Sequence, residues 1–130
     1  RLLLGDGCRP RSIQRRMYDI VKGTSRQRYV ANPHTTSIHN YGAAVDITIA
    51  DKDGNRLDMG VPMDHFGELS HPCEEDRLLK EGKLTQDQVA NRRLLRQVMT
   101  GAGFQVLSIE WWHFNAFDRK TVTSRYKVIE

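Results

Sequence analysis

Cysteine is scarce in this chain: Cys8 and Cys73 stand alone among 130 residues, and no CxxC pattern occurs. A disulfide framework is therefore not what holds it together, and two thiols, paired or free, leave cytoplasm and periplasm both open as its compartment. No apolar run approaches bilayer length, so no membrane span is expected. There is no internal repeat, linker or low-complexity segment, and no visible signal peptide. The chain opens on Arg1 directly before Leu2-Leu3-Leu4, a strand-like start from which an incomplete N-terminus is expected. Acids are rare between Arg9 and Arg28, where seven Lys or Arg face only Asp19. That excess and the net charge of +4 suit an anionic partner. Zinc-finger spacing, basic runs interleaved with aromatics and ribonucleoprotein motifs are all missing, so a solvated helix face is expected and nucleic acid is not. What remains, 38% hydrophobic and 28% charged, describes one globular domain over residues 1–130.

Periodicity supplies the elements. Residues 2 to 5 read as a strand ending at Gly7 and Pro10. Ile13, Met17, Ile20 and Val21 then fall at helical spacing up to Gly23. Residues 24 to 36 are polar and irregular, a flexible rim or a gap. Val45, Ile47 and Ile49 alternate with Ala44, Asp46 and Thr48, which predicts a strand over 43–50 whose Asp46 points away from the apolar face. Asp51 to Asn55 reads as a hairpin turn and Leu57 to Met59 as the returning strand. An ordered loop follows from Gly60 through Pro72. Thr85 and Gln88 form a capping-box pattern ahead of Val89, Leu94, Leu95, Val98 and Met99, the stripe of a helix ending at Gly101 or Gly103. Residues 104–107 and 109–117 read as a strand pair, and Tyr126 to Ile129 as a final edge strand.

Chemistry concentrates in two clusters. Ser37-Ile-His39-Asn-Tyr-Gly42-Ala-Ala44-Val-Asp46 places an imidazole and a carboxylate at the mouth of a strand, and Glu110-Trp111-Trp112-His113 adds a second imidazole. Two imidazoles and a carboxylate suit a divalent ion such as zinc with a fourth position open for water, and Glu110 is placed to act as base. His39 and Asp46 are seven residues apart. An odd separation inverts direction on a strand, so Gly42 must bend the chain back. Glu110 and His113 pose the same parity problem, which predicts a bulge or strand end between them. Singly, each residue has a plainer role: a loop histidine, an arginine-paired aspartate, core tryptophans. Jointly, two histidine clusters, each with a nearby acid, are hard to explain as packing.

Together, Ser37-x-His39-x-x-Gly42-x-Ala44-x-Asp46 and Glu110-Trp111-Trp112-His113-Phe114 resemble the D-alanyl-D-alanine dipeptidase family, which takes in the vancomycin-resistance dipeptidases. Further matches are Asp6-Gly7-x-Arg9-Pro10, Met59-Gly60-x-x-Met63-Asp64 and Asn91-Arg92-Arg93-x-Leu95. The resemblance implies that His39, Asp46 and His113 hold one zinc ion and that Glu110 is general base and acid. It implies that Arg9 stabilises the developing oxyanion, that Ser37 lies near the substrate and that Asp64 receives the dipeptide's ammonium. Without it, Arg9 reads as a surface arginine at a helix start and Asp64 as a turn residue. Cys8 and Met63 stand where such proteins carry aromatics, and the stretch from Arg9 to Ser37 is short, so the pocket wall is expected to differ.

The expectation is an α+β domain of the hedgehog and D-Ala-D-Ala peptidase type: a small, mainly antiparallel sheet carrying a zinc site, with helices 10–22 and 85–100 on its apolar face. Its expected function is zinc-dependent hydrolysis of D-alanyl-D-alanine or a similar small D-dipeptide. A muropeptidase acting on longer cell-wall peptides is the rival within the same chemistry. A non-catalytic zinc-binding module is the rival from another class, against which Glu110 and Arg9 argue.

Overall fold

A computed structural model describes residues 1–130. Four strands, β1 (Leu2–Asp6), β2 (Ala44–Ile49), β3 (Gln105–Leu107) and β4 (Glu110–Asn115), form one antiparallel sheet in the order β1-β2-β4-β3. Four helices accompany it: α1 (Arg11–Val21), α2 (Glu75–Lys80), α3 (Gln86–Gly101) and α4 (Arg119–Arg125). The architecture is α+β with a small antiparallel sheet, as the alternation of residues 44–49 and the stripe after Thr85 predict. None of the helices is long and apolar enough to cross a membrane.

The main core lies between the sheet and α3. Ile47, Ile49, Trp111, Trp112 and Phe114 meet Leu95 and Met99, with Met59 closing one side. The capping box forms as the sequence indicates: Gln88 N–H donates to Thr85 Oγ1 at 3.2 Å, and Thr85 N–H to Gln88 Oε1 at 2.9 Å. The buried stripe of α3 differs from the expected one. Val89, Arg92, Leu95 and Met99 face inward, while Leu94 and Val98 are exposed. Spacings of three and four residues put Arg92 squarely on the core line, and an apolar count passes over an arginine.

Helix α1 corrects a second expectation. No residue of it joins the main core. Its buried positions are Gln14 and Val21, whereas Ile20 is 80% exposed and Ile13 is exposed too. The helix packs through Gln14, Met17 and Val21, so of its apolar residues only Met17 and Val21 lie on the inner side, and Ile13 and Ile20 do not.

Two expected strands are absent. After the Asp51 turn, pairing stops at one bridge between Ala50 and Arg56. The carbonyls of Asp58 and Met59 accept instead from Asn91 and Arg92 of α3, which takes them out of any ladder. At the C-terminus, Ile129 N–H donates to Asn40 O and Ile129 O accepts from Arg11 N–H. One residue thus joins two non-strand segments, and no edge strand forms. The short helices α2 and α4 and the 3₁₀ turn Ser25–Tyr29 are additions the periodicity did not reveal.

Candidate metal centre

The local folding of three segments brings the two clusters together. Ser37 Oγ accepts from His39 N–H at 3.3 Å and Asn40 Oδ1 from Ser37 N–H at 2.7 Å, which sets the 3₁₀ turn Ile38–Tyr41. Gly42, at φ +66°, then bends the chain into β2. Asp46 lies directly opposite His113 in the β2–β4 register. On the other side of β4, the register jumps from Val106↔Phe114 to Leu107↔Glu110, so one step along β3 passes over Trp111, Trp112 and His113. This irregularity is the bulge that parity requires between Glu110 and His113.

His39 Nε2, Asp46 Oδ1 and His113 Nδ1 form a triangle with sides of 3.1, 3.1 and 3.2 Å, and all three residues are buried. The other ring nitrogens are committed elsewhere. His39 Nδ1–H donates to Gly7 O at 2.7 Å and His113 Nε2–H to Asn115 Oδ1 at 2.8 Å. With those protons placed, three lone pairs face one point, an arrangement that repels itself unless a cation lies between them. A tetrahedral ion at ~2.0–2.1 Å from each donor would hold donors about 3.3 Å apart, close to the sides observed. The donor set therefore fits a divalent metal.

The electrostatics agree. Burial pushes the Asp46 carboxyl up, but contact with His113 and His39 outweighs it and brings it down to about 2. Burial favours the neutral His113 ring, yet the Asp46 carboxylate overcomes this and leaves its pKa raised. Both shifts run in the direction that favours positive charge beside Asp46.

The remaining expected residues converge on the same place. Glu110 Oε2 is 3.7 Å from His113 Nδ1, the nitrogen that faces the triangle. Burial raises its pKa, His113 draws it down and the Asp46 charge raises it again, for a net upward shift. Arg9 reaches Asp46, with Nη2 3.5 Å from Oδ2. Ser37, Asp64, Trp112 and Asn115 line the same cavity, of about 540 Å³. Asp64 is exposed at the cavity rim with φ +64°, and its pKa is raised by partial desolvation and then by the Asp46 charge.

The sequence model described as D-Ala-D-Ala dipeptidase matches residues 1–129. The chain belongs to the D-Ala-D-Ala dipeptidase family. Similar proteins include the D-alanyl-D-alanine dipeptidase of Escherichia coli K12, 34% identical over 113 residues, which are 87% of this chain and 53% of that protein. The enzyme of that name from Synechocystis is 38% identical over 95 residues, 68% of this chain and 37% of its own. The one from Enterococcus faecalis is 29% identical over 133 residues, 90% and 62% respectively. The chain spans about half the length of the curated relatives it matches.

Within this family member, several supporting residues had little or no signal in the sequence. Asp6 Oδ2 accepts from Arg9 Nε at 2.8 Å, and Gln14 Oε1 from Arg9 Nη1 at 3.0 Å. Asp6 stood in the sequence only as part of the Asp6-Gly7-x-Arg9-Pro10 match, and its spacing of three from Arg9 is the cue that could have paired them. Gln14, fully buried and also bonded to Ala31 O, had no signal, because a lone glutamine on a basic helix looks solvated. A bulge at Gly5 sets Asp6 opposite Asp46, so the guanidinium bridges two carboxylates. Asn115 was legible only as a polar residue two positions after His113.

Proposed function

We propose that this chain hydrolyses D-alanyl-D-alanine, or a closely similar D-configured dipeptide, with zinc held by His39, Asp46 and His113. The carrying observation is the buried 3.1–3.2 Å triangle of two imidazole nitrogens and a carboxylate oxygen, with a second carboxylate beside it. Zinc, when bound, would act as a Lewis acid and lower the pKa of a water towards 7. Glu110 then takes a proton from the attacking water and passes it to the leaving amine, and its raised pKa makes it a better acceptor than an ordinary glutamate. Arg9, always charged and held in a planar fork, faces the carbonyl oxygen as negative charge grows on it.

Asp64 receives the substrate's free ammonium in this reading, since an arriving cation relieves the like charge that Asp46 imposes on it. Ser37 Oγ already accepts from His39 N–H, which leaves its own proton free to donate to the bound dipeptide. An arginine clamped by three side chains and an acid beside the donor triangle favour an enzyme over a non-catalytic zinc module. The test is D-Ala-D-Ala turnover before chelation, after it and after zinc is returned, run beside a longer muropeptide. Activity is expected to vanish and reappear on the dipeptide. Chelator-resistant turnover would sink the metal mechanism, and a faster muropeptide rate would transfer the assignment to the longer substrate.

Asn115 offers a measurement that needs no turnover. By accepting from His113 Nε2–H it keeps the Nδ1 lone pair on the metal side. Asn115→Ala is expected to weaken zinc binding about 10–100-fold in competition with a chromophoric chelator. Asn115→Asp should keep most of the affinity. Wild-type affinity in the alanine variant would remove Asn115 from this role.

A further inference from the structure

The segments Met59-Gly60-x-x-Met63-Asp64 and Asn91-Arg92 stand apart in the sequence and have no part in the proton chemistry, yet the structure joins them. Residue 58 is gripped three times: Asp58 O accepts from Asn91 Nδ2 at 2.9 Å, Asp58 Oδ2 from Gln88 Nε2 at 2.9 Å, and Asp58 Oδ1 from Gly60 N–H at 2.8 Å. One step on, Met59 O accepts from Arg92 Nε at 2.7 Å. The same guanidinium reaches the far end of the loop, where Nη2 donates to Leu69 O at 2.7 Å. A single fully buried arginine thus ties two carbonyls that are ten residues apart in the chain.

Between those anchors the loop is set at further points. Gly60 lies so close to the start of α3 that a Cβ there would come within 2.5 Å of Leu84 Cδ2, just ahead of the helix, and 3.2 Å of Gln88 Oε1 on it, and its φ is +86°. Ser70, fully buried, donates from its hydroxyl to His65 O at 2.7 Å. At the tip, Asp64 adopts a left-handed backbone conformation, an uncommon one for a non-glycine residue that persists where surrounding contacts fix it. The tip faces the cavity with His65 and Phe66.

We infer that Arg92, assisted by Asn91 and Gln88, is a positioning residue: it mounts the 58–70 loop on α3 and so sets where Asp64 meets the ammonium of the substrate. This rests on the dipeptidase reading for the substrate but not for the mount. Arginine is needed because its rigid fork serves both carbonyls at once, whereas the single ammonium of lysine on a flexible stem cannot.

The test uses Arg92→Lys, with Asn91→Ala as a milder second variant should the first fail to fold. Hydrogen exchange of the amides in 60–69 is compared with that of β2 and β4, and zinc affinity is measured by chelator competition. Kinetics are read on D-Ala-D-Ala and on its N-acetyl derivative, which lacks the ammonium. Loop amides are expected to exchange faster while the sheet and zinc affinity stay as in the wild type. KM for the free dipeptide should rise about tenfold, the size of one lost charge-assisted hydrogen bond, with kcat held and the preference over the N-acetyl compound reduced. Loop exchange at the wild-type rate would overturn the mount. A loss of kcat and zinc affinity with KM unchanged would overturn it as well, by moving the effect to the metal centre. If the wild-type protein leaves D-Ala-D-Ala intact, the dipeptidase reading fails, while the exchange experiment still decides whether Arg92 holds the loop.

Discussion

Replacing Glu110 with Ala is expected to lower kcat on D-Ala-D-Ala by at least about 10³-fold while one zinc per chain stays bound. The separation follows from where the carboxylate lies. Glu110 stands outside the donor triangle, 3.7 Å from the His113 nitrogen that belongs to it. Its removal therefore subtracts no ligand, but it does take away the carboxylate that lies within 4 Å of the donor triangle without belonging to it. Stability should not suffer, because Glu110 is a mostly buried acid whose pKa burial has already raised, and His113 is the one basic side chain within 4 Å of its carboxylate. An acid kept short of partners costs the fold something and is explained by chemistry. Glu110→Gln, nearly the same shape, should be as inactive as the alanine variant, since an amide cannot accept the water's proton. Zinc content, thermal midpoint and kcat are to be measured on the same preparations. Turnover retained in either variant would remove Glu110 from the mechanism, and zinc lost with turnover would make it a ligand.

The legible parts of this molecule were those carried by short-range patterns. The two histidine clusters could be paired on paper because each sets its donors within a few residues of a bend or bulge, and parity alone required both distortions. Helix α3 was legible for the same reason, with Thr85 and Gln88 announcing its start. What stayed hidden depends on residues whose type misstates their environment. Arg92 and Gln14 are fully buried, yet an arginine in a charged helix and a glutamine in a basic one look solvated. Ile13 and Ile20 pull a periodicity argument toward the wrong face of α1, whose inward contact is Gln14 reaching Arg9 and Ala31. The returning strand at Leu57 to Met59 failed because side chains of α3 claim its carbonyls, a contact some thirty residues away in sequence. Helix α4 is only seven residues long and rich in threonine and serine, with Asp118 capping Thr121 as its one local cue.

The second large effect is expected at Arg9. Its side chain is 14% exposed, and its guanidinium already holds Asp6 and Gln14, with Nη2 shared between Asp6 Oδ2 at 2.6 Å and Asp46 Oδ2 at 3.5 Å. Asp6 and Gln14 fix the plane of the fork, so the arginine needs no rearrangement as charge develops on a substrate oxygen, which is what makes such a donor effective. Arg9→Ala should lower kcat about 10²–10³-fold, and Arg9→Lys should recover little of it, because one ammonium on a flexible stem cannot hold both partners and still point at the substrate. Asp6→Asn and Gln14→Ala act only through the arginine and should lose less. A phosphinate analogue of the tetrahedral state provides the check: its affinity is expected to fall across these variants in step with kcat/KM. The metal supplies a second reading with a definite sign. Arg9 places positive charge beside Asp46, a ligand in this scheme, so its removal should leave zinc affinity unchanged or slightly increased. Weaker zinc binding in Arg9→Ala would mean that the arginine serves mainly to orient Asp46, and undiminished phosphinate affinity would mean that the oxyanion is stabilised elsewhere.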